Sequence, residues 1–342
     1  MRDLMCSGWE PAPPLSAAER RVPVPPPLSA KVDLLFATHR GVLSAAALRA
    51  AGVAGDQIAE WCAVGSMRRC PGRLLEVPAS VDEVTPLRAI ALRYPKAVFA
   101  METAAALHEL DAFDEAPLSP PTVFVPGGGR LVEGRVVRRG DDLRPPDIVQ
   151  VRGLRVTSVT RTIADLGAAV APDLVERALE SALRSARTTE EALWAACKTI
   201  PRTGRSGPRV LAAILRRRGV GTRFTDSDAE TRFLQIVRHP RLAEPRRQRP
   251  IIVDGIRQAS VDFAFDLGGG GAAARELWVE IDGALAHSGK QALVRDLRRQ
   301  NTLMREQPIL LRFPATDVYG SSAYVRQETW HHLGLRNRQS AG

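Results

Sequence analysis

Residues 260–267, SVDFAFDL, and 276–283, ELWVEIDG, decide how the C-terminal third of this chain is read. In the first segment Val261, Phe263 and Phe265 alternate with Asp262, Ala264 and Asp266, the two-residue period of a strand with one buried face. The glycine run Gly268 to Gly271 supplies a turn, which makes the second segment the partner strand. Asp262 and Glu280 stand out because they interrupt apolar strands. A carboxylate inside a buried strand is costly unless it is paired or holds a metal. Antiparallel pairing predicts that both side chains share one face at the sheet's edge.

Working outward, SDAETRFLQIV (227–237) reads as a helix with Phe233, Leu234 and Val237 on one face. After the hairpin come a polar helix holding VRDLRRQNTLMRE, a strand ILLRF and a last helix around YVRQETWHHL, giving the order α-β-β-α-β-α. Glu230 lies three residues after Ser227 and so fits either a helix cap or a third acidic ligand. Oxygen donors of this kind suit Mg²⁺ or Mn²⁺, which keep several waters and accept phosphate oxygens as further ligands. Such a cation, held by Asp262, Glu280 and Glu230, would supply the chemistry of phosphodiester hydrolysis. His287, just beyond the second strand, could act as general base or hold a phosphate. Each residue also has a plainer reading. Asp262 could be a strand-end carboxylate, Asp282-Gly283 a turn, and Arg295, Arg298 and Arg299 a solvated helix face.

The 342-residue chain is long for one core, and its 44% hydrophobic content is ordinary for globular protein. Its formal net charge of +10 favours a polyanion such as nucleic acid, or else reflects solvated arginine faces. Arg202 to Arg218 and Arg238 to Arg249 are the two arginine-rich stretches. The cysteines (Cys6, Cys62, Cys70 and Cys197) form no C-x-x-C pair, so no zinc ribbon or redox motif is readable. No apolar run reaches membrane-span length and no signal core is visible at the N-terminus, which predicts a cytoplasmic protein.

The chain divides on pattern into a proline-rich tail (1–30), a first domain (31–80), a mixed middle domain (81–200), a basic linker carrying one short helix (201–224), the C-terminal domain (225–335) and a tail (336–342). In the first domain, three short helices precede two strands around Pro71-Gly72. Ser44 is the expected cap of the second helix and Gly52 its C-terminal stop. This is a winged helix-turn-helix pattern, in which the third helix and Arg68, Arg69 and Arg73 of the wing approach DNA; a small helical dimerisation module is the other reading. In the middle domain, TVFVP, the glycine turn Gly127 to Gly129 and GRVVRR suggest a hairpin, Thr188 and Glu191 a capping box, and His108 a structural histidine.

The C-terminal motifs, taken together, resemble the Vsr-like (very-short-patch-repair-like) branch of the PD-(D/E)XK endonucleases. The matching positions are Glu230, Asp262-Phe263, Glu280, Asp282-Gly283, His287, Arg295-Asp296, Arg299, Leu303 and Arg312-Phe313. The resemblance implies a restriction-endonuclease-like fold, Mg²⁺ or Mn²⁺, catalytic roles for Asp262, Glu280, Asp282 and His287, and DNA contacts from Arg295 and Arg299. Asp282 occupies the position of the superfamily's usual lysine. The segments GVLSAAALRAAGV, PGRLLEVP, AAALHEL and VTSVTRTIADLG are similar to AbiEi-type antitoxin regulators, although Met101-Glu102 replaces that family's Ser-His. The expected protein is therefore an α/β multidomain DNA endonuclease, the alternative being a non-catalytic DNA-binding regulator with a cognate toxin as partner.

Overall fold

The computed structural model describes residues 28–70, 73–78, 82–114, 116, 118, 120–125, 136–139, 141–200, 206–253, 256–268, 275–283, 301 and 309–335. It is a mixed α/β protein with three sheets among those residues, and its contacts divide the chain into two units at Pro95/Lys96.

The first unit runs α1 (Ala30–Thr38), β1 (Val42–Ser44), α2 (Ala45–Ala50), α3 (Gly55–Ala63), β2 (Arg68–Cys70), β3 (Leu74–Glu76) and α4 (Thr85–Arg93). Its sheet has the order β1-β3-β2 with antiparallel pairs throughout. The Ser44 hydroxyl accepts from Ala47 N (3.0 Å), satisfying one of the free amides at the start of α2. Gly52 follows the helix at φ +88°, a left-handed conformation that an L side chain rarely adopts. Val32, Phe36, Leu48, Ile58, Trp61, Met67 and Leu75 close the core beneath these short elements.

The second unit opens with β4 (Val98–Phe99), α5 (Met101–Leu107), β5 (Thr122–Val125), β6 (Val136–Arg139), β7 (Ile148–Val151) and β8 (Leu154–Thr157). These strands form one sheet ordered β6-β5-β4-β8-β7. The hairpin expected around Gly127 to Gly129 is corrected here: β5 and β6 pair in parallel, with Thr122 opposite Val136 and Val125 opposite Arg139. A parallel pair cannot be joined by a tight turn, because the chain must return along the strand's length before entering β6. The expected glycine turn itself lies outside the described residues.

Helices α6 (Val159–Leu166), α7 (Pro172–Arg184), α8 (Glu190–Thr199) and α9 (Gly207–Arg218) follow. The cap of α8 is Thr189, whose hydroxyl accepts from Ala192 N (3.2 Å), rather than the expected Thr188. Thr188 is buried and its hydroxyl bonds that of Thr160 (2.7 Å), so its polar group is already committed. Helix α9 is the basic helix expected between 201 and 224. Its other face, Leu211, Ala212, Ile214 and Leu215, is buried in the same core as α6 to α8. The fit at its start is close: a Cβ on Gly207 would stand 2.4 Å from the Ala164 carbonyl oxygen of α6. Because that neighbour is backbone, Gly207→Ala is expected to lower stability by about 1–3 kcal/mol, read from urea unfolding. His108, which follows α5, is buried with Nε2 2.7 Å from the Thr157 carbonyl oxygen, the structural role expected for it.

The remaining elements are α10 (Asp228–Val237), β9 (Arg246–Val253), β10 (Ile256–Asp266), β11 (Glu276–Asp282), β12 (Ile309–Pro314), α11 (Ala315–Gly320) and α12 (Ser322–His332). The sheet order is β12-β11-β10-β9, antiparallel except for the parallel β11–β12 pair. Phe233 and Val237 of α10 pack on Phe263, Phe265, Leu277, Val279 and Phe313, with Phe233 and Phe263 stacked at 5.0 Å between ring centres. The carboxylate-bearing strands β10 and β11 are the two inner strands of this sheet.

Candidate carboxylate site of the C-terminal sheet

Three segments meet where the β10–β11 ladder ends: the start of α10, the middle of β9, and Asp262 of β10. Ser227 caps α10 by accepting from Glu230 N (3.1 Å), and Glu230 Oε1 accepts in turn from the Ser227 hydroxyl (3.1 Å). Glu230 is therefore a cap residue, and its other oxygen faces inward. Oε2 accepts from Asp226 N (2.8 Å) and from the side-chain amide of Gln248 (3.2 Å). The same Gln248 amide nitrogen donates to Asp262 Oδ1 (3.1 Å). Asp262 Oδ2 accepts from Ile281 N of β11 (2.8 Å). One carboxamide thus bridges two of the carboxylates.

The strands depart from simple alternation to achieve this. Arg246 and Arg249 of β9 both pair with Glu276, and Arg249 stacks over Trp278. Between them, Arg247 and Gln248 instead face Glu180 and Glu230. Gln248 has φ +50°, which turns the strand by one phase without breaking its register. On β10, Val261, the register partner of Arg249, packs with Ala264 and Trp278, while Phe263, the partner of Arg247, packs with α10. The expected alternation of Val261 with Phe263 and Phe265 on one face therefore fails at Asp262. A non-glycine residue held at positive φ is strained by about 1–3 kcal/mol, and such irregularities in a sheet re-aim side chains.

Burial, and then the neighbouring Asp262 carboxylate, push the Glu230 pKa up to about 7. Its value exceeds that of an unfolded glutamate, so the folded state gains stability from holding this proton. That gain is complete below the unfolded pKa and is lost as pH rises through the folded value. Raising metal-free protein from about pH 5 to pH 8 is expected to destabilise the wild type relative to Glu230→Gln by on the order of 2 kcal/mol. Urea midpoints of the two proteins at the two pH values measure the difference; equal changes would refute it.

Glu280, 3% exposed, is the residue of β11 next to the Phe263–Val279 pair, as Asp262 is on β10, and its Oε2 lies 3.6 Å from Arg312 Nε of β12. Arg312 also makes a two-pronged pair with Asp282, at 3.0 and 2.7 Å. Gln248 thus links Glu230 with Asp262, and Arg312 links Glu280 with Asp282. Among the described residues no set of three acidic, histidine or cysteine side chains is gathered to hold a metal. In chemistry the Glu230–Asp262 pair suits a hard cation, whose charge would offset the burial and the repulsion that raise the Glu230 pKa. His287, Arg295, Asp296, Arg299 and Leu303 lie outside the described residues.

Four arginines of the two arginine-rich stretches are held by buried acids of α7. Glu176 of α7 binds Arg238 (2.9 Å) and Arg217 (2.9 Å), and Glu180 binds Arg218 (3.0 Å) and Arg247 (2.7 Å). Asp228, at the start of α10, takes a two-pronged bond from Arg177 (2.7 and 2.5 Å) and one from Tyr319 (2.5 Å). Sequence reasoning missed this acidic row because Glu176 and Glu180 fit an ordinary amphipathic helix. In the first unit, Arg68, Arg69 and Arg73 lie on β2 and the turn before β3, with Arg68 paired to Glu76. The exposed face of α3 carries Asp56, Gln57 and Glu60, and no arginine or lysine.

No family model matches the chain, and no curated protein does either. A crystal structure of the RV2827C protein from Mycobacterium tuberculosis aligns with 66% of this chain and 88% of its own, at 18% identity and a TM-score of 0.38. No helix among the described residues is long and apolar enough to cross a membrane.

Proposed function

We propose that the chain is a DNA-binding protein whose C-terminal region, about 225–335, is a metal-dependent endonuclease domain of the Vsr-like PD-(D/E)XK type. The observation that carries this reading is the Glu230–Gln248–Asp262 bridge. It brings a helix-start carboxylate and a strand carboxylate together beside a four-stranded mixed sheet, where burial and their mutual repulsion disfavour the charged form of Glu230. Glu230 and Asp262 would hold Mg²⁺ or Mn²⁺, and bound there the cation would supply Lewis-acid stabilisation of a phosphodiester undergoing hydrolysis. Glu280 would join them on releasing Arg312, and Gln248 keeps the two nearer carboxylates at a fixed spacing. His287 is proposed as the proton-accepting group, and Arg295 and Arg299 as phosphate contacts.

The order of elements in the first unit, with its β1-β3-β2 sheet, supports a winged helix. Its wing arginines, Arg69 and Arg73, are proposed to approach the DNA backbone. The acidic face of α3 argues against that helix as the main contact, since phosphates repel carboxylates.

One observation favours a second reading, a non-catalytic DNA-binding regulator acting with a cognate toxin. Arg312 offsets the charge of Glu280 and Asp282, as a scaffold without a metal would need. A cleavage assay on duplex, mismatched and single-stranded DNA with Mg²⁺ or Mn²⁺ separates the two. Nicking that EDTA stops supports the enzyme, whereas binding of DNA without cleavage of any form supports the regulator.

A further inference from the structure

The Glu230–Gln248–Asp262 bridge is not self-contained. Two of the three segments that build it are held by one side chain from α7, outside the C-terminal sheet. Glu180 is 1% exposed. Its Oε1 accepts from Arg247 Nη1 (2.7 Å) and from Arg218 Nε (3.0 Å), and its Oε2 accepts from Thr225 N (3.2 Å). Arg247 immediately precedes Gln248, the residue at positive φ whose amide bridges the carboxylates. Thr225 immediately precedes Asp226, whose amide donates to Glu230 Oε2, and the Thr225 hydroxyl bonds that of Thr231 (2.6 Å). A single buried carboxylate therefore fixes the strand on one side of the bridge and the helix start on the other.

We infer that Glu180 is a positioning residue for the carboxylate site, acting through Arg247 and Thr225 to set the spacing of Glu230 and Asp262. Its functional meaning rests on the nuclease reading; its geometric content does not. Without the Glu180 charge, the ion pair left to Arg247 among the described residues is with Glu244 at 3.8 Å, a weaker hold on the residue before Gln248. Residues that orient metal-holding carboxylates in this way typically change affinity by about 10–100-fold when altered.

Glu176, one turn earlier on the same helix, supplies the matched control. It is also buried and binds Arg217 of α9 and, at the far end of α10 from Glu230, Gln235 and Arg238, none of which adjoins the bridge in sequence. The experiment uses the full chain with Glu180→Gln and Glu176→Gln, each shown to be folded by a cooperative melt. Two readouts are taken: Mn²⁺ affinity by titration, and the side-chain amide proton resonances of Gln248 in metal-free protein. Glu180→Gln is expected to weaken Mn²⁺ binding about tenfold or more and to shift the Gln248 resonances, while Glu176→Gln leaves both near wild type. Equal effects from the two variants, or a folded Glu180→Gln protein with unchanged Gln248 resonances, would overturn the inference. A wild-type chain that binds no Mn²⁺ overturns the nuclease reading instead, and the Gln248 resonances then decide the positioning role by themselves.

Discussion

Asp262→Asn is expected to abolish metal-dependent DNA cleavage, lowering the rate by about 10³-fold or more while leaving the chain folded. Asparagine keeps an oxygen that can accept from Ile281 N, so the strand pairing has a replacement for that 2.8 Å bond. It removes the negative charge that a cation between Glu230 and Asp262 requires, and a loss of several kcal/mol in transition-state stabilisation corresponds to a rate loss of about that size. Alanine at the same position is a blunter variant. It leaves the Ile281 amide and one Gln248 hydrogen unsatisfied, at about 1–3 kcal/mol for each buried group. The asparagine variant has a second signature. Because Asp262 contributes to the raised Glu230 pKa, its neutralisation is expected to lower that pKa from about 7 and flatten the loss of stability between about pH 5 and pH 8. Cleavage that persists undiminished in Asp262→Asn would refute the site, whatever its effect on stability.

The largest expected effect on stability lies away from this site, at Arg161. Its side chain is 2% exposed, and its guanidinium bonds Asp165 (2.6 Å), Asp142 (2.7 Å) and Asp147 (3.4 Å) beside the Phe124 ring. The Asp165 side chain is itself only 3% exposed. Arg161→Met would remove the cation that these three carboxylates share. Breaking a buried pair by removing one partner typically costs about 3–5 kcal/mol, because the remaining charge is stranded in a poor solvent. Urea unfolding at neutral pH is expected to show a loss of that order. The loss should shrink as pH falls and the stranded aspartates take up protons. A change below about 1 kcal/mol would mean that the cluster is solvated and contributes as little as a surface pair.

How far the sequence disclosed this structure depends on the range of the interaction concerned. Ser44 with Gly52 and Ser227 with Glu230 are local signals, and the caps form as read. The hydrophobic partners of β10 and β11 were also visible, since a strand's apolar residues report the face it buries. The phase slip at Asp262 was not, because it originates in the backbone of Gln248 on another strand, at a residue with no intrinsic preference for positive φ. Nor was the parallel entry of β6, because a glycine run signals a turn without saying whether the chain reverses or returns. The arginine-rich stretches were visible as charge, but their partners lie far back in sequence: Glu180 and Arg247 are separated by 67 residues. Net charge alone therefore overstated how much arginine faces solvent. The acidic residues of the site were all named, while Gln248, the group that joins two of them, carries no charge and so gave no signal.

The acidic row on α7 bears on how this chain can be divided. A region whose internal pattern marks it as a separate domain is commonly treated as a portable module that can be excised or fused elsewhere. Here a cut at residue 225 would separate Arg238, Arg247 and Asp228 from Glu176, Glu180 and Arg177, leaving buried charges on both fragments. The C-terminal sheet and the helices before it behave as one inheritable piece, and an exchange between proteins that preserves the site must carry α7 with it.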